Sequence, residues 1–392
     1  MIRYLTAGES HGQALVGIVE GVPAGLPLSN VYINHQLKRR QLGYGRGGRM
    51  KIESDHVKIL SGVRFGKTLG SPIALSINNK DWKNWMERMA VDQSDIEIEK
   101  IVIPRPGHVD YAGMLKYRFD DIRNVIERAS ARETAMRVAC CSIMRKLLEE
   151  FEILIGSYVI RIGNVNSINK ANMNVFKNSN DKRPHNPFEL SEQADLSPLR
   201  MLDPGAERRA VELIKKTKKS GDSLGGVFEV SVSGLPVGLG SYVQHDRKLD
   251  GLLAQALMSI HAVKGVEIGM GFRTAQLPGS KVHDGFGIKQ GKIIRISNNA
   301  GGLEGGITNG EYLILRVAMK PISTLAKGLP SVDLSKKEVV VARYERSDVC
   351  AVPACSVIGE AVVAPVLANA FLEKFGGDSI EEIRHRYGSE KL

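Results

Sequence analysis

The pattern of apolar and polar positions predicts strands in the first hundred residues and a long helix after them. Alternating apolar residues at 57–60 and 72–77 flank a turn that contains Gly66 and Gly70, which is typical of antiparallel hairpins. From about 122 to 151, small and apolar side chains recur at helical spacing and predict one long helix packed closely against another element. A further strand is predicted near 153–162.

The second half of the chain repeats this order of strands and helices. A helix that begins at Asp203-Pro204 should run to about Lys218, and a helix at about 357–374 should kink or break at Pro365. The spacing Ser379-x-x-Glu382 is a capping box for a short terminal helix. Strands are also predicted at 227–232, 292–296, 312–319 and 338–344, and a helix at about 249–263.

This succession of elements predicts an α+β fold, with mainly antiparallel sheets against central helices. A chain of 392 residues can bury a large core. We expect a single domain over 1–392 with two similar halves, about 1–165 and 220–392, although no sequence repeat demonstrates a duplication. Residues 166–202 are polar with scattered prolines, which is typical of a surface excursion.

Composition limits the classes of partner and the compartment. The net charge of +11 favours acidic partners, either nucleic acid or small phosphorylated metabolites, and charge alone does not separate them. The four cysteines form no Cys-x-x-Cys pair and no metal spacing with histidine, so we expect reduced thiols, no metal and a cytoplasmic protein. The N-terminus lacks an apolar signal core, and no uncharged stretch has the length of a membrane span.

The pentapeptide Gly-Glu-Ser-His-Gly at 8–12 allows two interpretations. It matches the G-x-S-x-G nucleophile elbow, and a serine hydrolase of this kind would use Ser10, His108 and an acid such as Asp348. However, an elbow needs a core strand before it and a helix after it, and only seven residues precede this one. In the second interpretation, the glycines form an unhindered loop that brings His11 close to a bound anion.

Basic residues that could bind the same anion follow soon afterwards. Nine Lys or Arg lie between Lys38 and Lys67, against two acidic residues. Glycine alternates with arginine at 43–49, where close backbone approach and guanidinium groups suit carboxylate or phosphate. A solvated basic loop is one alternative. A surface for nucleic acid is another, but aromatic residues are 6% of the chain and no nucleic-acid module is recognised. The pattern favours a multiply anionic small ligand.

Further motifs carry residues suited to anions or to proton transfer. The turn Arg105-Pro-Gly-His108 contains an arginine and a second histidine. Arg128 and Arg132 are four residues apart, on one face of the predicted helix near Ser130, although an exposed face bridged to neighbouring glutamates would look the same. A glycine-rich loop lies at 298–307 and matches neither the phosphate loop nor the dinucleotide fingerprint. A lysine and two hydroxyl side chains lie at 320–324. The last motif is Arg-Ser-Asp at 346–348, where Asp348 is a possible general base.

Together these motifs resemble the chorismate synthase family over nearly the whole chain. The resemblance rests on six ordered segments, at 7–12, 44–55, 105–108, 130–134, 320–322 and 346–348. It implies a β-α-β sandwich fold, a homotetramer and a lyase of the shikimate pathway, which makes aromatic precursors. In that reaction 5-enolpyruvylshikimate 3-phosphate loses phosphate and a ring proton by 1,4-elimination to give chorismate, with reduced FMN required but not consumed overall. A separate flavin reductase is expected as a partner, and neither nucleic acid nor a membrane is.

The resemblance also assigns catalytic roles. His11 matches the general acid near the leaving phosphate, His108 matches the histidine near the flavin ring, and Asp348 matches the aspartate proposed to relay a proton from the flavin. Ser10 and Ser130 match hydroxyls that assist proton movement. The general chemistry agrees, because a protonated histidine assists the departure of phosphate.

Binding positions are carried over in the same way. The arginines that match positions for the substrate's carboxylates and phosphate are Arg40, Arg46, Arg49, Arg105 and Arg132. Arg40 and Arg46 also match positions where the family is assigned NADP, although the chain has no dinucleotide fingerprint. Ala129 stands where many members have serine. The residues that match flavin-binding positions are Arg128, Ala129, Ser130, Gln255, Ala256, Gly305, Lys320, Pro321, Ile322, Ser323, Thr324 and Arg346.

Overall fold

The computed structural model describes residues 1–47, 54–93, 96–167, 186–345 and 347–390. The helices in these ranges are α1 (Asn30–Gln41), α2 (Asp110–Tyr117), α3 (Arg123–Arg128), α4 (Glu133–Glu149), α5 (Pro187–Asp195), α6 (Pro204–Lys219), α7 (Leu249–Met258), α8 (Val352–Phe375) and α9 (Ile380–Glu390). The strands are β1 (Arg3–Ala7), β2 (Ala14–Glu20), β3 (Val57–Ile59), β4 (Val63–Arg64), β5 (Lys67–Thr68), β6 (Ile73–Asn78), β7 (Leu154–Ile162), β8 (Val165–Asn166), β9 (Gly226–Ser233), β10 (Val263–Ile268), β11 (Phe286–Lys289), β12 (Lys292–Arg295), β13 (Leu303–Glu304), β14 (Ile307–Thr308), β15 (Leu313–Met319), β16 (Pro330–Asp333) and β17 (Glu338–Val341).

A four-stranded antiparallel sheet has the order β1-β2-β6-β3. Side chains of β2 alternate between a buried face, with Leu15 and Val19, and an exposed face, as the pleat of a strand requires. Helix α4 packs against the buried face so closely that a Cβ on Gly17 would lie 2.5 Å from the sulfur of Cys140. Only glycine fits this contact. The loop that joins β1 to β2 carries the first histidine motif.

A five-stranded antiparallel sheet has the order β10-β15-β9-β7-β8. Helix α8 packs against it, and a Cβ on Gly359 would lie 2.6 Å from the ring of Phe228. Helices α4 and α8 also pack against each other, and the main hydrophobic cluster contains residues from Ile2 to Tyr387. The mixed helix and strand composition is therefore as predicted. Strand β7 comes from the predicted first half and pairs with β9 from the second.

Elements with strong local sequence patterns lie close to their predicted positions. Strands β7, β9 and β15 fall within about two residues of the predicted bounds. Helix α6 begins after Asp203, whose carboxylate accepts from the backbone N–H groups of Gly205 at 2.7 Å and Ala206 at 3.1 Å. Helix α9 begins after Ser379, whose hydroxyl accepts from the N–H of Glu382 at 3.3 Å. Both predicted caps are confirmed.

The helix predicted over 122–151 is interrupted. Helix α3 ends at Arg128, and α4 begins at Glu133. Between them the Ser130 hydroxyl accepts a hydrogen bond from the N–H of Arg132 at 3.2 Å, a local turn that competes with helical hydrogen bonding. The interruption gives Arg128 and Arg132 different partners, so the prediction that they share one helical face was wrong.

Other helices also differ from their predicted bounds. Helix α1 lies in the region predicted to be rich in strands, and the Ser29 hydroxyl caps it by accepting from the N–H of Tyr32 at 3.2 Å. Helix α7 stops at Met258, because Ala262 has a positive φ of 65° and β10 begins at the next residue. Helix α8 continues through Pro365 without a break, since its extensive burial compensates for the lost hydrogen bond.

The segment 166–202 is described at 166–167 and from residue 186 onward. Helix α5 packs against β7, where the carbonyl oxygen of Pro187 leaves no space for a Cβ on Gly156. Leu199 and Arg200 are buried. This part of the segment is packed against the fold, which differs from the expected surface excursion. Its polar residues are used in buried hydrogen bonds, for example from the Ser191 hydroxyl to Glu360 at 2.9 Å.

Helix α8 is the one helix of the described ranges that is long and apolar enough to cross a membrane. However, 83% of its apolar window is buried inside the protein. Its Glu360 is fully buried and accepts hydrogen bonds from arginines on other elements. These features are typical of a core helix. The cysteines Cys140, Cys141, Cys350 and Cys355 are buried free thiols.

Candidate active site

The loop between β1 and β2 holds His11 against one carboxylate. The His11 Nδ1 atom lies 3.0 and 2.9 Å from the two carboxylate oxygens of Glu127, and the His11 backbone N–H donates to the same group at 2.8 Å. Trp85 stacks on the imidazole with the ring centroids 3.9 Å apart. Because Nδ1 faces the carboxylate, Nε2 is the nitrogen left to face a ligand.

Glu127 is a buried residue of α3, and its charge is compensated. Burial acts to raise the pKa of the Glu127 carboxyl, but the hydrogen bonds and charge of His11 outweigh burial and lower it below its ordinary value. Arg123 contributes as well, with its Nη1 atom 3.2 Å from the carboxylate. Glu127 is therefore ionised at neutral pH. The sequence motifs did not identify it as a partner of His11.

The surroundings of Ser10 do not match a nucleophile elbow. The loop at 8–13 leads from β1 into the antiparallel strand β2, whereas an elbow leads from a strand into a helix. The Ser10 residue is only 3% exposed, and its backbone N–H donates to the carbonyl of Glu127 at 2.9 Å. The hydrolase interpretation of this loop was wrong, while the interpretation as a loop that carries His11 agrees with the geometry.

The second histidine motif is organised by another carboxylate. The His108 Nδ1 atom contacts Asp110, and Asp110 also accepts from the Arg105 Nε atom at 2.8 Å and its Nη2 atom at 3.0 Å. Burial acts to raise the pKa of Asp110, but the bonds from His108 and Arg105 hold it well below its usual range. Asp110 therefore orients both candidate residues. Its position two residues after His108 was the available sequence signal.

The segment Lys320–Thr324 lies against this second histidine loop. Lys320 donates from Nζ to the carbonyl of Gly107 at 2.6 Å, and Arg105 donates to the Thr324 hydroxyl at 3.4 Å. A Cβ on Gly107 would lie 3.5 Å from both the Lys320 Nζ atom and the Ser323 Cβ atom. Within the same segment Pro321 is exposed and Ile322 is half-buried. The structure thus brings together two motifs that are more than two hundred residues apart in sequence.

Arg40 and Arg132 share a buried partner, Asp55. The Arg40 Nη1 atom lies 3.6 Å from Asp55, and Arg132 forms a closer ion pair with it. Arg132 also donates to the Asn79 side-chain oxygen at 2.9 Å, while the Asn79 amide donates to the carbonyl of Gly12 at 2.7 Å. Asn79 therefore links the arginine pair to the His11 loop. Burial lowers the pKa of Arg40 to about 10.

Arg46 and Asp348 are also partners. The Arg46 Nε atom lies 3.3 Å from the Asp348 carboxylate, which accepts from the backbone N–H of Gly47 at 2.6 Å. The N–H of Val349 donates to the carbonyl of Gly45 at 2.8 Å, so the two segments run side by side. The predicted site residues Arg49 and Arg346 lie outside the described residues.

The other predicted flavin-binding residues fall into two groups. Arg128, the last residue of α3, donates to the carbonyls of Thr6 at 3.0 Å and Gly8 at 3.2 Å and so lies beside the His11 loop. Ala129 and Ser130 follow it in the turn before α4. Gln255 and Ala256 lie on α7, and Gly305 lies in the turn between β13 and β14 beside Tyr242. No hydrogen bond or ion pair in the described ranges joins Gln255 or Gly305 to a histidine loop.

His261 connects the end of α7 with both loops through its electrostatic surroundings. Burial lowers the pKa of His261; the charge of Glu133 opposes this, while those of Arg137, His108 and Arg128 lower the pKa further. His108 and Arg128 therefore lie within electrostatic reach of the same side chain.

Comparison with known proteins decides the family. A family model described as chorismate synthase matches residues 2–372. The chain belongs to the chorismate synthase family. The chorismate synthase of Prosthecochloris aestuarii is 56% identical over 393 residues, with 100% of this chain and 98% of the relative covered. That of Aquifex aeolicus is 54% identical, with 98% and 96% covered.

A solved structure agrees with this assignment. A crystal structure of chorismate synthase covers 99% of this chain and 97% of its own, with 44% identity and a TM-score of 0.78. The resemblance inferred from the sequence motifs is confirmed, and the chain is an enzyme, a lyase of the shikimate pathway.

Proposed function

We propose that the chain converts 5-enolpyruvylshikimate 3-phosphate to chorismate by 1,4-elimination of phosphate and a ring proton, with reduced FMN required but not consumed. The observation that carries the proposal is the position of His11, held by a buried carboxylate and linked through Asn79 to the Arg40 and Arg132 pair. This arrangement suits a proton donor beside a bound anion.

Substrate binding in this proposal uses the arginines. Two carboxylates and a phosphate need several guanidinium groups, both for binding and for stabilising the charge of the departing phosphate. Arg40, Arg105 and Arg132 are largely buried, so their interactions with an anion are only weakly screened by water. Arg46 and Arg49 would complete the set. We assign Arg40 and Arg46 to the substrate rather than to NADP, because both lie in the same charged cluster as Asp55 and Asp348.

Proton transfer is assigned to the histidines and their neighbours. His11 would donate a proton from Nε2 to the leaving phosphate, with the hydroxyl of Ser10 beside it. Asp348 would relay the proton that leaves the substrate ring, while His108 would lie near the flavin. Ser130 would assist from the turn between α3 and α4. The support is that each histidine is oriented by a buried carboxylate through Nδ1.

The residues beside Gly107 fit a flavin phosphate and ring. A cation at Lys320 and hydroxyls at Ser323 and Thr324 lie against the loop that carries Gly107 and form a donor set of the required chemistry. Reduced FMN, when bound, would supply an electron-rich ring that assists departure of the phosphate, and the substrate's ring C–H becomes acidic as the phosphate leaves. The other proposed binding positions are Arg128, Ala129, Ser130, Gln255, Ala256, Gly305, Pro321, Ile322 and Arg346.

The wider organisation is also part of the proposal. We infer a single domain with two similar halves arranged as a β-α-β sandwich, which assembles as a cytoplasmic homotetramer and works with a separate flavin reductase. Support for an assembly comes from apolar side chains on the outer face of the first sheet, where Leu5 is 71% and Ile18 is 46% exposed.

The decisive experiment measures phosphate release from 5-enolpyruvylshikimate 3-phosphate by the purified chain under anaerobic conditions. We expect turnover with reduced FMN and none above background when flavin is omitted, because no side chain supplies the electron density that a reduced flavin lends to the substrate. Oxidised FMN is the matched control and should also give background rates. Equal turnover without flavin would contradict the proposal.

Asp348→Asn is expected to affect both proton transfer and substrate binding, because Asp348 is the proposed proton relay and the ionic partner of Arg46. Turnover should fall by about 100-fold because a proton relay is lost, and KM should rise severalfold because Arg46 loses its ionic partner. Steady-state kinetics with reduced FMN measure both constants. The control is Asp120→Asn, which removes an exposed carboxylate paired with Lys100 and should change neither. Wild-type turnover in Asp348→Asn would rule out the relay.

A further inference from the structure

We propose that Glu127 is the positioning residue for His11. Its carboxylate holds the imidazole through Nδ1 and stabilises the imidazolium, so that the Nε2–H group is presented to the departing phosphate. This inference rests on the proposed role of His11 as the proton donor. Glu127 itself lies behind the ring and acts on the reaction through His11.

The hydrogen-bond geometry leaves the carboxylate little freedom to move. One oxygen of Glu127 accepts from the His11 backbone N–H at 2.8 Å and faces Nδ1 at 2.9 Å. The other oxygen faces Nδ1 at 3.0 Å and accepts from Arg123 Nη1 at 3.2 Å. The Glu127 carbonyl also accepts from the N–H of Ser10 at 2.9 Å. A single residue thus fixes both the backbone of the loop and the orientation of the ring.

The contact with Glu127 determines which nitrogen of the His11 imidazole keeps its proton. A carboxylate can only accept from Nδ1, so the proton on Nδ1 is retained when Nε2 gives up its own proton. A partner of this kind, which binds the far nitrogen of a functional imidazole, sets the tautomer and the basicity of the ring. The carboxylate also balances the positive charge of the imidazolium in a site where only 16% of the His11 side chain is exposed.

The other charges around His11 do not replace Glu127. Arg123 on α3 and Arg88 both lie over the Trp85 ring, at 5.1 and 5.7 Å from its centroid, and Arg128 donates to the carbonyl of Gly8. These three groups are cations, which disfavour an imidazolium. Glu9 belongs to the loop itself and lies beside Gly12. Glu127 is the carboxylate in hydrogen-bond contact with the ring among the described residues.

Trp85 restricts the ring from the side and also provides a probe. The indole and imidazole planes are 24° apart and stacked, so the imidazole cannot turn without losing this contact. The chain has two tryptophans, Trp82 and Trp85. In a Trp82→Phe background, Trp85 is the sole indole, and its emission reports on the ring stacked against it, because an imidazolium quenches indole fluorescence.

The kinetic test compares Glu127→Gln with wild type at saturating reduced FMN. We expect kcat to fall by about 10- to 100-fold, the usual effect of losing such a partner, while KM stays within about twofold. The alkaline limb of the kcat profile should move to lower pH, because the amide stabilises the imidazolium less. The double variant with His11→Ala should be no slower than His11→Ala alone. Glu20→Gln, an exposed glutamate at the far end of the same hairpin, is the matched control and should keep wild-type constants.

The emission test does not depend on turnover. In the Trp82→Phe background, the quenching of Trp85 that accompanies protonation of the imidazole should begin at lower pH in Glu127→Gln than with Glu127 in place, and His11→Ala should show none of it. Unchanged emission, or independent kinetic effects of Glu127→Gln and His11→Ala, would overturn the inference, since Glu127 would then serve only to anchor the loop. If emission changed but neither substitution slowed turnover, the positioning of the ring would stand and the role of His11 as proton donor would fail.

Discussion

His11→Ala is expected to lower turnover by about 10²- to 10⁴-fold, the range typical of a lost general acid. The imidazole is held by Glu127 on one edge and by Trp85 on one face, so the substitution removes an oriented donor rather than a mobile side chain. Substrate affinity should change little, because the arginine pair proposed to bind the anion is held by Asp55 and Asn79. The measurement is kcat and KM for phosphate release with reduced FMN.

Two further variants make the result specific. His11→Asn keeps a polar side chain of similar size in the loop but cannot act as the acid, so it should be as slow as His11→Ala. His385→Ala removes an exposed histidine on α9 and should behave as wild type. A wild-type rate in His11→Ala, or a large loss in His385→Ala, would show that the rate does not depend on the His11 imidazole.

The histidine motifs were predictable from sequence, but neither of the carboxylates that orient them was identified there. Glycine beside histidine at 8–12 and at 107–108 is a local pattern, so the loops could be recognised from it and an anionic ligand predicted for them. Glu127 is 116 residues from His11, and only the packing of α3 against the first hairpin brings them together. Asp110 lies two residues after His108, close enough for the sequence to have indicated it.

The secondary structure shows the same difference: elements set by a local sequence pattern were predicted, and those set by individual contacts were not. Strand β2 keeps a period of two because one of its faces lies against helix α4. The break at Ser130 was not predicted, because apolar spacing continues across it and a single hydroxyl redirects the backbone. Helix α1 was missed because few of its side chains are apolar, although it buries Arg39 and Arg40.

Binding positions taken from the resemblance are less evenly supported. Lys320 and Thr324 contact the second histidine loop directly, and Arg128 contacts the first. Gly305 and Gln255 belong to the region around α7 and stay predictions.

The charged cluster around Glu360 is a separate feature, in which one carboxylate on α8 joins α1, α4, α5 and β7. Glu360 on α8 accepts from the two Nη atoms of Arg39 on α1 at 2.7 and 2.9 Å, and also from Arg145 on α4. It accepts from the Ser157 hydroxyl on β7 at 2.6 Å and from Arg200 at 3.2 Å. Arg39 immediately precedes Arg40, so this cluster fixes the end of α1 that carries a proposed substrate ligand.

Glu360→Gln is expected to lower the free energy of unfolding by about 3–5 kcal/mol, since it leaves buried arginines without their shared counter-charge. Burial acts to raise the pKa of Glu360, but Arg39 and Arg145 hold it well below its ordinary value in the folded state. The stabilisation is therefore fully present above the unfolded pKa, near 4.3, and is lost as the pH falls below it.

Denaturant midpoints at pH 7 and pH 4 measure both effects: wild type should lose more stability on acidification than Glu360→Gln. Glu20→Gln, which removes an exposed ion pair, should shift the free energy of unfolding by no more than about 0.5 kcal/mol. A wild-type midpoint in Glu360→Gln would show that the arginines find other partners.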